Sequence, residues 1–262
     1  MKKFKLIFLF ILFVNFSFAQ NYLSITYLKV PRQNMKEFLT LHKELSEAAM
    51  NENRLIKGHF VYSHRHANNY SLVIVNTFDN PADIGKDQSV SASNLTSYAN
   101  TLSENDKKSF NEKRSKWFRM YIEGHSDEVR TRRQNSGFQS EDFDPTKKSI
   151  VVVSWYNPKW SNLNEFSQLF EKQKFDNEKK LGNCQYAMSS GHYSGSGPTF
   201  SAAMWYPSWE AFAKNESDLD KLESENPENE DGARMWEIGG DHWDDILVSV
   251  GQMVDGKFVL AK

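Results

Sequence analysis

The chain has one cysteine, Cys184, in 262 residues. No intramolecular disulfide can form, and stability has to come from a buried core. It has no surplus of positive charge, with 32 Lys and Arg against 34 Asp and Glu. A nucleic-acid partner would favour a concentrated basic face, whereas the runs EKRSK and RTRR are local and read as solvated ends of elements. Long apolar stretches are also scarce. The run Leu6–Val14 is too short to span a bilayer, and no second one follows, so stable membrane insertion is not expected. No GxSxG, HExxH, Walker or CxxC pattern occurs, so the chain carries none of those nucleophile, zinc, phosphate or redox signatures.

What is present begins with MKKFKLIFLFILFVNFSFAQ. Lys2, Lys3 and Lys5 precede the apolar run, and Ser17-Phe18-Ala19 follows it. A basic head, a short apolar middle and small residues at alternate positions predict a secretory signal peptide over residues 1–19, cut after Ala19. No cysteine stands at the cut, which argues against a lipid anchor. The mature chain, from Gln20, would be soluble and exported to a periplasm or beyond the cell. Losing three lysines leaves 29 basic against 34 acidic residues, a net of −5. About 243 residues can bury one large core or two small ones.

The chain then repeats itself. ITYLKVPRQNMKEFLTLHKE (25–44) lies over VSWYNPKWSNLNEFSQLFEK (153–172) at a constant shift of 128. Tyr27 meets Trp155, Asn34 meets Asn162, Glu37-Phe38 meets Glu165-Phe166 and Leu41 meets Leu169. The same shift brings His64 onto His192. Near the end of each half stands His, any residue, Asp, an acidic residue and a β-branched residue: His125–Val129 and His242–Ile246. These align at a shift of 117, so the second copy is about eleven residues shorter before its last strand.

Each half reads strand, helix, two strands, helix, strand. Residues 22–30 alternate as a strand, and Met35, Phe38, Leu41, Leu45 and Ala49 share one helical face. IKGHFVYSHR and YSLVIVNTF are strands joined through HANN. Residues 82–120 read as mainly helical, with an irregular Ser/Asn-rich stretch at 89–97. The second half follows suit, with SGSGP (194–198) as a hairpin turn rather than a phosphate loop, because no helix follows it. This predicts an α+β protein of two tandem ferredoxin-like βαββαβ units, 20–130 and 149–262, joined by a polar linker over 131–148. The layout resembles the dimeric α+β barrel superfamily, which includes antibiotic-biosynthesis-type monooxygenases, NIPSNAP-like proteins and chlorite-dismutase-like haem proteins. The resemblance implies one intramolecular barrel.

Candidate site residues come from the repeats. His125 and Asp127 lie two apart on one strand face with Val129, as do His242 and Asp244 with Ile246. If the β-branched residues point into the sheet interior, each pair does too, and an Asp beside an imidazole suits a general base. The alternative is that each pair ties a helix end to the last strand, and duplication favours it, because a copied active site is free to decay. His64 and His192, with His66 added in the first copy, could contribute to a two-His, one-carboxylate site only through a contact between units. The plainer reading is a hairpin histidine, and no metal is assigned. His42, equivalent to Phe170, reads as core. The chain is 14% aromatic. Trp117, Tyr121, Trp155, Tyr156, Trp205, Tyr206, Trp209 and Trp236 include enough rings to line a cavity, with His64, His192, Trp155, Tyr156 and Trp205 as candidate ligand contacts.

Three functions follow: an exported protein binding a small apolar or aromatic molecule; a cofactor-independent oxygenase with His125 or His242 as base, as the monooxygenase resemblance implies; and a haem protein with an axial histidine, as the chlorite-dismutase resemblance implies. No cofactor is assigned, and the oligomeric state is left open. Expressed with its first 19 residues in a bacterial host, the recovered chain is expected to start at Gln20, as mass spectrometry of its N-terminal peptide would show. Recovery of cytoplasmic protein still bearing Met1–Ala19 would overturn the export reading.

Overall fold

A computed structural model describes residues 22–66 and 69–262; the signal-peptide reading lies outside them. In the first half, β1 (Tyr22–Leu28), α1 (Met35–Ala49), β2 (Gly58–His66) and β3 (Leu72–Phe78) lead into α2 (Ala82–Asn100), α3 (Glu104–Ile122) and β4 (Ser126–Gln139). The second half runs β5 (Ile150–Tyr156), α4 (Leu163–Phe170), α5 (Asp176–Leu181), β6 (Tyr186–Ser194), β7 (Phe200–Tyr206), α6 (Trp209–Ser224), α7 (Glu230–Gly239) and β8 (His242–Val254), with a short β9 (Lys257–Leu260). Every pairing is antiparallel.

The duplication is visible in the registers. Leu28 faces Leu72 and Tyr156 faces Phe200; Tyr27 faces Ser126 and Trp155 faces Trp243. The sheet order is β2-β3-β1-β4-β6-β7-β5-β8, and β8 returns to β2, closing an eight-stranded barrel. Two seams join the halves, with His192 opposite Arg130 and His64 opposite Leu247. The helices cover the outside. Their apolar faces bury Leu28, Phe38 and Ile74 in the first half, and Phe166, Phe170, Phe200 and Tyr206 in the second. No helix among the described residues is long and apolar enough to cross a membrane.

Several local expectations change. Only the second part of 131–148 is a connection: β4 continues to Gln139 and pairs with β6 on both sides of a gap in the ladder. Its polar sequence reflects an excursion, in which β4 takes five steps from Arg132 to Gly137 while β6 takes two from Ser190 to Met188. Gly137 re-enters at φ 91°, where a Cβ would lie 2.0 Å from the Ala187 carbonyl oxygen. Glu171 accepts from the Gly137 amide at 3.0 Å and from the Ser136 hydroxyl at 2.7 Å. Residues Glu171–Phe175 form a π turn there, between α4 and α5. The Ser/Asn-rich stretch at 89–97 is continuous helix, with Asn94 buried and donating to the Ala49 carbonyl.

His42 lies in the first half's outer core, against His59 on β2. His59 Nδ1 donates to Asn76 Oδ1 at 2.7 Å, which leaves its Nε2 to accept from His42 Nε2–H at 3.0 Å. The second half has Phe170 and Ala187 at these positions. Burial holds His42 well below its ordinary range and His59 down to about 4. In an unfolded chain both would take up protons near pH 6.5, so folding stability is full above that value and is lost as pH falls towards 4. From pH 7 to pH 5 the His59 shift alone predicts a loss of about 2 kcal/mol, or about 4–8 °C in Tm for a chain of this size. Thermal melts of the His42→Phe/His59→Ala double variant, which removes both depressed histidines, should show a pH dependence smaller by at least that amount.

Candidate functional site

Strand alternation sorts the barrel wall into two sets. On β1, Leu23, Ile25 and Tyr27 point inward, while Thr26 and Leu28 face the helices. On β4 the inward residues are Glu128, Arg130 and Arg132; on β8 they are Trp243, Asp245, Leu247 and Ser249. The interior is divided into two chambers by Tyr27, Tyr70 and Trp155, which line both.

The larger chamber has a volume of about 410 Å³. Its wall is aliphatic and aromatic, including Ile25, Phe60, Tyr62, Val75, Met188 and Trp205. The smaller chamber, about 280 Å³, is polar and is lined by Asp127, Glu128, Asp245, Lys29 and the turn residues Ser196–Pro198.

The septum is built on buried charge. Arg130 is wholly buried, and its Nη1 donates to Glu128 Oε1, also buried. Three further hydrogen bonds hold the guanidinium: Nε donates to Ser190 Oγ at 2.7 Å, Nη1 to the Pro198 carbonyl at 2.9 Å and Nη2 to the Ser190 carbonyl at 3.2 Å. The guanidinium carbon sits 5.2 Å from the Trp155 ring centre, a cation–π distance. Tyr27 donates to Glu128 Oε2 at 3.3 Å. Burial, and after it the Glu128 carboxylate, pushes the Tyr27 phenol well above its ordinary value and keeps it a neutral donor. Asp245 Oδ2 accepts from Tyr70 at 2.7 Å and from Trp155 Nε1 at 2.9 Å. Each half therefore supplies one buried carboxylate, at the fourth position of its repeated motif. The SGSGP turn folds over Glu128 so closely that a Cβ on Gly197 would lie 2.0 Å from the carboxylate.

The predicted site residues separate on this geometry. His125 and Asp127 lie 3.4 Å apart on the helix-facing side of β4. His125 Nδ1–H donates to the Ile122 carbonyl at the end of α3, and Asp127 accepts from Thr26 at 2.6 Å. His242 and Asp244, 3.3 Å apart, are on the outer side of β8, where His242 stacks on Tyr156. Neither histidine lines the large chamber; Asp127 reaches the rim of the small one. The β-branched Val129 and Ile246 face the helices too, so the motif's inward residues are Glu128 and Asp245.

Trp155 and Trp205 line the chamber and Tyr156 does not: one residue after Trp155, it points outward and packs on Phe166 and Phe170. His64 and His192 sit at the barrel's polar end without lining the large chamber. The His64 ring is 4.6 Å from that of Tyr70, and His192 Nδ1 is 3.9 Å from Glu128 Oε1, across the seam. The contact between units therefore exists, but it joins histidine to the septum. No group of three or more His, Cys, Asp or Glu side chains suited to a metal ion occurs among the described residues. Tyr27, Phe60, Tyr62, Tyr70 and Tyr186 supply most of the aromatic lining. Period-two counting from Trp155 and Trp205, carried across the repeat, could have found Tyr27.

No protein-family model matches the sequence, and no curated protein is similar to it at the sequence level. Solved structures are similar in fold. An anthrone oxidase-like protein superposes with a TM-score of 0.60 at 10% identity, covering 93% of this chain and 96% of its own. A candidate monooxygenase from Fusobacterium nucleatum gives 0.55 at 8% identity, covering 94% and 99%. A mutant chlorite dismutase from Candidatus Nitrospira defluvii gives 0.52 at 6%, covering 87% and 91%. This chain shares their fold.

Removing one member of the septum's ion pair strands the other in the barrel. Arg130→Leu, which copies the second half's Leu247, is expected to cost about 3–5 kcal/mol by urea denaturation, and Glu128→Gln/Arg130→Leu together much less. Equal losses in both would show that Glu128 carries no buried charge needing Arg130.

Proposed function

We propose that the chain is an exported protein whose barrel binds a small, largely apolar molecule. The observation that carries the reading is the chamber of about 410 Å³, lined by aliphatic and aromatic side chains and floored by the Tyr27–Tyr70–Trp155 septum. A volume in this range suits a ligand of a few rings, held mainly by burial of its apolar surface. The flat faces of Trp205, Tyr62 and Phe60 favour an aromatic body.

An enzymatic use of the same barrel, of the oxygenase kind suggested by the similar structures' names, has one observation behind it. Glu128 and Asp245 are buried carboxylates, each hydrogen-bonded to a phenol beside the chamber. In that reading they, rather than His125 or His242, would take a proton from a substrate held in the small polar chamber, which both of them line. Haem is a poorer fit. Neither a histidine nor the single cysteine lines the large chamber, and the nearest histidines, His64 and His192, lie beyond the septum.

N-phenyl-1-naphthylamine, a neutral apolar fluorophore, should bind the mature chain saturably and quench its tryptophan emission, since Trp155 and Trp205 border the chamber. Ala203→Trp, which fills the chamber from β7, should abolish that binding while the protein still melts cooperatively. Unchanged binding in Ala203→Trp would place the probe elsewhere and overturn the reading.

A further inference from the structure

The two halves of the barrel differ inside in charge as well as in size. At the repeat shift of 117, Arg130 and Arg132 stand where the second half has Leu247 and Ser249. Arg130 is fully engaged by the septum. Arg132 is two residues further along the same inward face, and it lines the apolar chamber instead. The charged residues that line this chamber are Arg132 and Lys57, and no carboxylate does. Lys57 belongs to an exposed pair with Asp79 at 3.4 Å. No ion pair to Arg132 forms among the described residues; its guanidinium carbon lies 5.9 Å from the Tyr186 ring centre. An apolar cavity thus carries a planar cation on its wall and no acid to neutralise it.

We propose that the chamber's ligand is amphipathic and anionic, with an oxyacid group such as a carboxylate received by Arg132 and an apolar body directed towards the septum. The proposal rests on the binding reading given above and specifies its ligand class. A guanidinium presents paired donors matched to an oxyanion, and a charge-assisted bond gains strength where water is scarce. The strand register fixes the direction. Arg130 lies opposite Leu23 on β1, and Arg132 lies beyond it, away from Tyr27 and the septum. The opposite orientation would bring the anion towards Asp127, Glu128 and Asp245, which line the other chamber. Gln139 and Gln252 add amide groups to the apolar chamber's lining.

Two probes with one skeleton test this. 1-Anilinonaphthalene-8-sulfonate carries an anionic group that N-phenyl-1-naphthylamine lacks. The wild-type chain should bind the sulfonate about tenfold or more tightly than the neutral probe. Arg132→Met should weaken the sulfonate about tenfold more than the neutral probe and so remove that preference, whereas Arg132→Lys should keep part of it through its charge. Ala203→Trp should exclude both probes. Should Arg132→Met fail to fold, the lysine variant and a fall of the sulfonate preference with added salt give the same reading. Equal affinities for the two probes in the wild type, or a preference that survives in Arg132→Met, would overturn the anionic ligand while leaving the binding barrel intact. Binding of neither probe would overturn the binding reading itself.

Discussion

The structure depends on two strand seams. A lone ferredoxin-like sheet has one face covered by helices and the other bare. Here the last strand of each half pairs with the second strand of the other, β4 with β6 and β8 with β2. Closure removes the open edges and turns the two bare faces into one interior. Backbone pairing, unlike a side-chain interface, also fixes height. Because His192 sits opposite Arg130 and His64 opposite Leu247, the polar ends of both halves meet in one plane. The septum exists because of that register: Glu128 of the first half meets Ser190 and Pro198 of the second through Arg130, and Tyr70 of the first meets Asp245 of the second.

Buried charge explains why the interior is partitioned. An ion pair withdrawn from water is sustained only when its remaining donors and acceptors are met. Arg130 has four hydrogen bonds to protein groups, and the glycines of SGSGP let the chain close over its partner carboxylate. The second half solves the same problem without a cation from β8, giving Asp245 a phenol and an indole as donors. The copied acidic position was thus kept in both halves, while its means of satisfaction diverged.

Much of the architecture was legible in the sequence because periodicity and duplication speak to it directly. The βαββαβ order and the repeat shifts reappear as registers. The site was less legible, for a physical reason. Both faces of each strand are buried, one under helices and one inside the barrel, so a β-branched residue does not mark the interior. Val129 and Ile246 were natural guides to the inward face and point outward, which turns His125, Asp127, His242 and Asp244 with them. The residues between them, Glu128 and Asp245, carry the inward chemistry. The same ambiguity put Tyr156 beside Trp155 as a cavity residue, when adjacent strand positions cannot share a face. Arg130 and Arg132 belong to RTRR, which reads as a solvated strand end beside a polar linker, whereas Arg130 is buried and Arg132 lines the chamber; an excursion in a strand and a loop have the same composition. The π turn at Glu171 had no local signal; the partner of its first side chain is a backbone amide on β4, distant in sequence.

The barrel's two halves are covalently one chain, and this has a consequence for Arg132. In a barrel made from two identical subunits, any residue lining the interior appears twice, related by the two-fold axis. Two facing guanidiniums would repel each other, and a bound molecule could enter in either of two equivalent orientations. Fusion lifts that constraint. With Ser249 in the mirrored position, the interior has a head and a tail, and a guest without symmetry of its own can be held in a single pose.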